Sequence, residues 1–157
     1  MIKLTRIDYR LIHGQVAMAW TQSIGADCLL VASDTVVHDE MRKATLKLAK
    51  PSGCKSVIKS VSDAITALNA GVTDKYRLFI IVESVEDAYR LAKGCEGIKS
   101  INFGGSKPRE ECTRKLSPTT PVSDADVKML AELVERGVEV EIRQVPDDDK
   151  MPVERLL

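Results

Sequence analysis

Aromatic residues are scarce in this 157-residue sequence: one Trp, three Tyr and two Phe. So few rings offer no platform on which nucleic-acid bases could stack. Net charge is missing as well, because 23 Lys and Arg offset 23 Asp and Glu. The chain therefore has no overall basic field for a nucleic-acid backbone, although a local patch stays compatible with this balance. No apolar run approaches the roughly 20 residues of a membrane-spanning helix. Met1-Ile2-Lys3-Leu4-Thr5-Arg6 has neither the apolar core nor the cleavage site of a secretory signal. There are two histidines, His13 and His38, and four widely spaced cysteines, Cys28, Cys54, Cys95 and Cys112. With no C-x-x-C pair they form no zinc-type ligand set, and they read as reduced thiols of a cytoplasmic protein. The nucleotide-binding patterns G-x-G-x-x-G and G-x-x-x-x-G-K-[ST] are both absent.

What is present is an alternation of strands and helices. Ile2–Ile7 reads as a first strand, followed by a helix over Gly14–Ser23 with Val16, Ala19, Trp20 and Ser23 on one face. Cys28–Val31 and Leu78–Val82 are continuous apolar runs, the mark of strands covered on both faces. Met41, Ala44, Thr45 and Leu48 recur at helical spacing, and Pro51-Ser52-Gly53 stops that helix. Val57-Ile58 is a weaker strand. Ser62-Asp63 can cap a helix holding Ala64, Ile65 and Leu68. Val85, Ala88, Tyr89 and Ala92 mark another, and Ser100–Phe103 is a strand running into Gly104-Gly105. Residues 106–121 read as irregular, with one short strand near Leu116. Ser123-Asp124 starts a helix with Val127, Leu130, Ala131 and Val134 inside. Val138–Ile142 alternates as an exposed-face edge strand does. This order predicts an α/β fold, an open and mainly parallel sheet with helices on both faces and an edge strand near the C-terminus. Residues 1–157 read as one domain.

In such sheets ligands collect at loops after the C-terminal ends of strands. Here those are residues 8–14, 33–39, 83–85 and 104–109. The first holds His13, and an imidazole can act as nucleophile, base or ligand. A helix begins right after it, and its first turn supplies free N–H groups and a dipole that favours an anion. A phosphoryl group on His13 would meet those donors. Gly14 lets backbone approach the ligand, Arg10 offers a planar cationic fork, and Gln15 can add a hydrogen bond. Asp8 can orient Arg10 or the imidazole. Taken singly, His13 reads more readily as a satisfied structural group and Asp8 as a turn residue, and Arg10 reads equally well as a solvated loop residue. His38 reads as a surface or capping residue, and Trp20 as packing. Metal binding lacks a ligand set.

The stretch Arg6-Ile7-Asp8-Tyr9-Arg10-Leu11-Ile12-His13-Gly14-Gln15-Val16, with Trp20 behind it, resembles the phosphorylation-site loop of enzyme IIB of the mannose–fructose–sorbose family. That family belongs to the bacterial sugar phosphotransferase system. The resemblance continues in order through Ser33-Asp34, Leu48-Ala49-Lys50-Pro51, Ile101-Asn102-Phe103-Gly104-Gly105, Gly137-Val138-Glu139-Val140 and Gln144-Val145-Pro146-Asp147. It implies that His13 is the phosphorylated residue, on Nδ1, and that Arg10 contacts the phosphoryl group. Asp8, Gly14, Gln15, Gly104 and Gly105 are then phosphoryl-binding or loop-supporting residues. The implied partners are enzyme IIA as donor, the membrane components IIC and IID, and a sugar acceptor. No cofactor, metal or nucleic acid is implied, and a homo-oligomer stays open. The implied place is the cytoplasm, against the inner face of the membrane. A non-transporting regulatory or phospho-ligand-binding module is the alternative. Two features depart from the pattern. Glu83-Ser84-Val85 stands where the family often has a basic or polar residue and a proline, and Lys107–Glu111 is unusually charged, with Lys107 and Arg109 available for docking.

Overall fold

Leu78–Val82 is buried at every position, and it forms a strand at the middle of the sheet. The computed structural model describes residues 1–157. In chain order, β1 (Ile2–Asp8) leads through α1 (Gly14–Ile24) to β2 (Cys28–Ala32). A 3-10 turn at Val36–His38 precedes α2 (Glu40–Ala49) and β3 (Lys55–Lys59). Next come α3 (Val61–Asn69), β4 (Leu78–Val82), α4 (Val85–Gly94) and β5 (Ser100–Gly105). β6 (Cys112–Lys115) and β7 (Pro121–Ser123) form a separate antiparallel pair, in place of the single short strand expected near Leu116. The chain closes with α5 (Asp124–Glu135), β8 (Glu139–Ile142) and β9 (Met151–Pro152).

The seven-stranded sheet runs β3-β2-β4-β1-β5-β8-β9, and only β9 is antiparallel to its neighbour. Alternate side chains of the central strands serve two cores, which is why those strands are apolar throughout. Leu30, Ile80 and Phe103 meet Ala64, Leu91 and Leu130 of α3, α4 and α5 on one face. Leu29, Val31 and Phe79 meet Ala17, Trp20 and Leu46 of α1 and α2 on the other. Since the main strands are parallel, the loops after β1, β2, β4 and β5 gather at one edge, as the sequence predicts.

Four expectations need correction in detail. α1 buries Ala17, Trp20 and Thr21, and Ser23 is exposed, a face turned slightly from the one expected. α3 is capped by Ser60, whose Oγ accepts from the Asp63 amide, so Ser62-Asp63 lies inside the first turn. The Met41, Ala44, Thr45, Leu48 stripe of α2 faces solvent, with Met41 81% and Leu48 89% exposed. Periodicity locates an apolar face but not what covers it, and α2 lies near the sheet margin, burying only Leu46. Finally, β8 is an inner strand. The edge near the C-terminus is the two-residue β9, and Glu141 on β8 is buried.

Candidate functional site

The loop after β1 is shaped by one unusual residue. Leu11 has φ of 61°, the left-handed region that costs a non-glycine residue about 1–2 kcal/mol. The bend is held because its amide donates to the Asp8 carbonyl at 2.9 Å and because Leu11 and Ile12 are both buried beneath the loop. The chain thereby doubles back, and His13 returns over Asp8, with Nε2 3.3 Å from Oδ2. His13 is the N-cap of α1 in extended conformation, and Gly14 enters the helix at φ of 48°.

Asp8 is fully buried and is the hub of the site. Its Oδ2 accepts from Arg6 Nη2 at 3.0 Å, and its Oδ1 accepts from the Arg10 amide at 3.0 Å and from Arg10 Nε at 3.2 Å. Burial pushes the Asp8 carboxyl upward, but the Arg6 charge and the Arg10 hydrogen bonds outweigh it and hold the group below the usual carboxylate range. Two guanidiniums against one carboxylate leave the site net positive. Arg10 keeps its side chain 40% exposed and lies over the Tyr9 ring at 5.7 Å. Tyr9, which the sequence left without a role, thus backs Arg10, and its amide donates to the Gly105 carbonyl.

An ionised carboxylate at Nε2 favours the tautomer that carries its proton there, which leaves the Nδ1 lone pair free. Beside it stands the N-terminus of α1. The other four α-helices have a Ser or Asp side chain accepting from a first-turn amide and an acidic residue in that turn. α1 has neither. Its first amides and the positive end of its dipole are open to an anion. The site can therefore offer a nucleophilic ring nitrogen, an oriented cationic fork and free N–H donors to one tetrahedral anion. Gln15 is exposed in that first turn.

Gly104 and Gly105 support rather than line this arrangement. A Cβ on Gly104 would lie 2.2 Å from Arg6 Cζ, so only glycine admits the guanidinium there. Sequence reasoning missed Arg6 and what surrounds it. Arg6, Asn102 and Glu141 sit at one register level on β1, β5 and β8. Arg6 Nη1 donates to Asn102 Oδ1 and to the Arg143 carbonyl. Asn102 donates to Glu141, which Arg143 grips with Nε and Nη2, both at 3.0 Å. The Trp20 ring lies 5.4 Å from the Arg6 guanidinium and 5.0 Å from that of Arg143, with its Nε1 donating to the Gln144 carbonyl. The available signal was Arg6 and Asp8 at i, i+2 with Leu4, which puts two charges on a strand face turned to the α1 core.

The remaining candidates lie apart from His13. Glu83 is turned to the β2 loop, where its carboxylate accepts from Thr35 at 3.0 Å, from Arg42 at 3.2 Å and from Ser33. Arg42 neutralises the charge that looked unhelpful in the sequence. Tyr9, Arg42, Glu83, Ser106, Lys107 and Arg109 line a cleft of about 560 Å³. Lys107 is exposed, whereas Arg109 is committed to Asp126 and Glu111. His38 is exposed, and Asp39 rather than His38 caps α2. Burial pushes the Cys28 and Cys54 thiols up, which weakens both as nucleophiles.

Residues 2–157 match the family model described as "PTS system sorbose subfamily IIB component". The chain is 38% identical over 141 residues to a probable phosphotransferase enzyme IIB component of Streptococcus pyogenes, covering 85% of each. It is 33% identical to the fructose-specific EIIB component of Bacillus subtilis, covering 94% of this chain and 90% of that one. Among solved structures it resembles the IIBSor domain of the sorbose permease from Klebsiella pneumoniae. That match has a TM-score of 0.91 at 27% identity and covers 98% and 93% of the two chains.

Proposed function

The chain belongs to the sorbose-subfamily IIB components of the sugar phosphotransferase system, and from that premise we propose that His13 carries the phosphoryl group on Nδ1. Components of this family take phosphate from IIA and pass it to sugar. The observation that carries the assignment is the pairing of His13 Nε2 with buried Asp8 at the uncapped start of α1. In the first step the Nδ1 lone pair attacks the phosphorus of phospho-IIA in line. The bond from phosphorus to the donor imidazole breaks as the new P–N bond forms, through a loose, metaphosphate-like state. Arg10 and the first amides of α1 receive the charge on the equatorial oxygens, as preorganised donors do. Asp8 answers the positive charge that develops on the ring at Nε2–H. In the second step a sugar hydroxyl attacks the phosphorus and gives its proton to solvent, the P–N bond breaks, and His13 leaves as the neutral imidazole.

The exposed surface around His13 and Arg10, together with the neighbouring cleft that Tyr9 and Lys107 line, is the surface we assign to docking with IIA and then with the membrane components IIC and IID. No helix of the chain itself is long and apolar enough to cross a membrane. Such docking is modest in area and transient, because each partner must leave for the next to bind. The test is transfer from labelled phosphoenolpyruvate through enzyme I, HPr and a IIA protein. Acid-labile label appears on the wild-type chain and not on His13→Ala. Label kept by His13→Ala removes the assignment.

A further inference from the structure

The row Arg6–Asn102–Glu141 takes no part in the transfer as derived above, and it is an expensive thing to bury. Charged groups taken out of water lose solvation that their pairing only just returns, and an apolar set of similar shape is often as stable. Each partner is nonetheless satisfied. Arg6, Asp8 and Glu141 are buried, Arg143 closes the row, and Asn102 donates to both Glu141 Oε1 (3.0 Å) and the Arg143 carbonyl (3.2 Å). The row ends on one atom. Asp8 Oδ2 accepts from Arg6 Nη2 at 3.0 Å and faces His13 Nε2 at 3.3 Å.

We propose that Arg6, fixed by Asn102 and the Arg143 carbonyl, is a positioning residue that selects which imidazole nitrogen of His13 is left free for the phosphoryl group. The proposal rests on the reading of His13 as the phosphoryl carrier. Arg6 cannot follow a moving Asp8. Its guanidinium is held between the Trp20 ring, 5.4 Å away, and the backbone of Gly104, where a Cβ would overlap it. Arg10 is too exposed to impose the same order. Charged groups face Asp8 from two elements: Arg6 within β1, and Arg10 and His13 from the loop that follows it. Glu141 on β8, with Arg143 beyond it, acts on Asp8 only through Arg6. With Arg6 in place Asp8 stays ionised and oriented, the Nε2–H tautomer is favoured, and Nδ1 points its lone pair outward. Without it, burial raises the Asp8 carboxyl, the protonated form no longer prefers Nε2–H, and the tautomers mix.

The test uses the full chain with imidazole ¹⁵N shifts and transfer rates from phospho-IIA, on wild type, Arg6→Gln, Arg6→Lys and Asn102→Ala. Wild type shows the Nε2–H tautomer. Arg6→Gln shows mixed tautomers, a kcat lower by roughly 10–100-fold with KM for phospho-IIA held, and an acid limb of the rate profile moved to higher pH. Arg6→Lys restores part of each. Asn102→Ala, which keeps every charge, moves them in the same direction and carries the comparison if Arg6→Gln does not fold. A wild-type Nδ1–H tautomer overturns the proposal. So does a rate loss in folded variants whose tautomer is unchanged, since that is a structural role alone. A wild-type chain that takes no phosphoryl group on His13 defeats the carrier reading and this proposal with it, whereas the two outcomes above defeat the proposal alone.

Discussion

Gly104→Ala tests the packing of Arg6 with the smallest possible change. The new Cβ falls 2.2 Å from Arg6 Cζ and Nη2 and 2.4 Å from Nη1. Carbon atoms pack at about 3.5–4.0 Å, so the guanidinium has to move by more than 1 Å. It has no free direction, being tied to Asp8, Asn102 and the Arg143 carbonyl. Overpacking of this kind costs about 1–3 kcal/mol, and losing one hydrogen bond to a charged group adds about 1.5–3 kcal/mol. A loss of about 2.5–6 kcal/mol follows, or about 5–24 °C in Tm for a chain of this size. Gly105→Ala is the control. Its Cβ meets nothing nearer than the Thr119 carbonyl at 3.6 Å, an ordinary contact. The assay is urea and thermal unfolding of the two variants side by side, with transfer rate from phospho-IIA. Equal stability of the two variants would refute the reasoning.

Arg10→Ala leaves Arg6 on Asp8 and the fold intact, yet slows phosphoryl transfer by roughly 10²–10³ in kcat, as loss of one preorganised donor does; an unchanged rate removes Arg10 from the site. Asp87 provides a pH prediction. Burial, reinforced by Asp34, Glu83 and Glu86 against the opposing Arg90, pushes its carboxyl up to about 6. A raised folded pKa favours the protonated form, so this contribution is present below the unfolded value and lost as pH rises through 6. Asp87→Asn therefore gains stability at pH 8 relative to wild type, by up to about 3 kcal/mol, and gains least at pH 4. Urea midpoints at the two pH values check this, and a gain independent of pH contradicts it. Asp8 has the opposite sign, with a lowered pKa, and its contribution is lost as pH falls below the carboxylate range.

The parallel strands and the site loop were legible for different reasons. Leu78–Val82 and Cys28–Val31 declare buried parallel strands by composition alone, and Ser123-Asp124 declares the start of its helix, where the structure adds a capping box with Asp126. His13 was legible through its place just before a helix start and the neighbouring Arg10, and through its likeness to a known loop. The Arg6–Asn102–Glu141 row was not, because the three residues are 96 and 39 positions apart and meet only through strand register. The Met41–Leu48 stripe misled for the converse reason. A helix face that is apolar in sequence says nothing of whether a partner element reaches it, and here none does. Leu11 gave no sign either, since a left-handed leucine depends on the burial that holds it in place.

The central claim is the identity of the atom that carries the phosphoryl group. Multinuclear ¹⁵N–³¹P spectroscopy of the chain, phosphorylated by IIA, reads that atom directly. The account predicts coupling of phosphorus to Nδ1 of His13, with Nε2 still protonated against Asp8. Phosphorus on Nε2 of His13, on His38 or on a cysteine would contradict it.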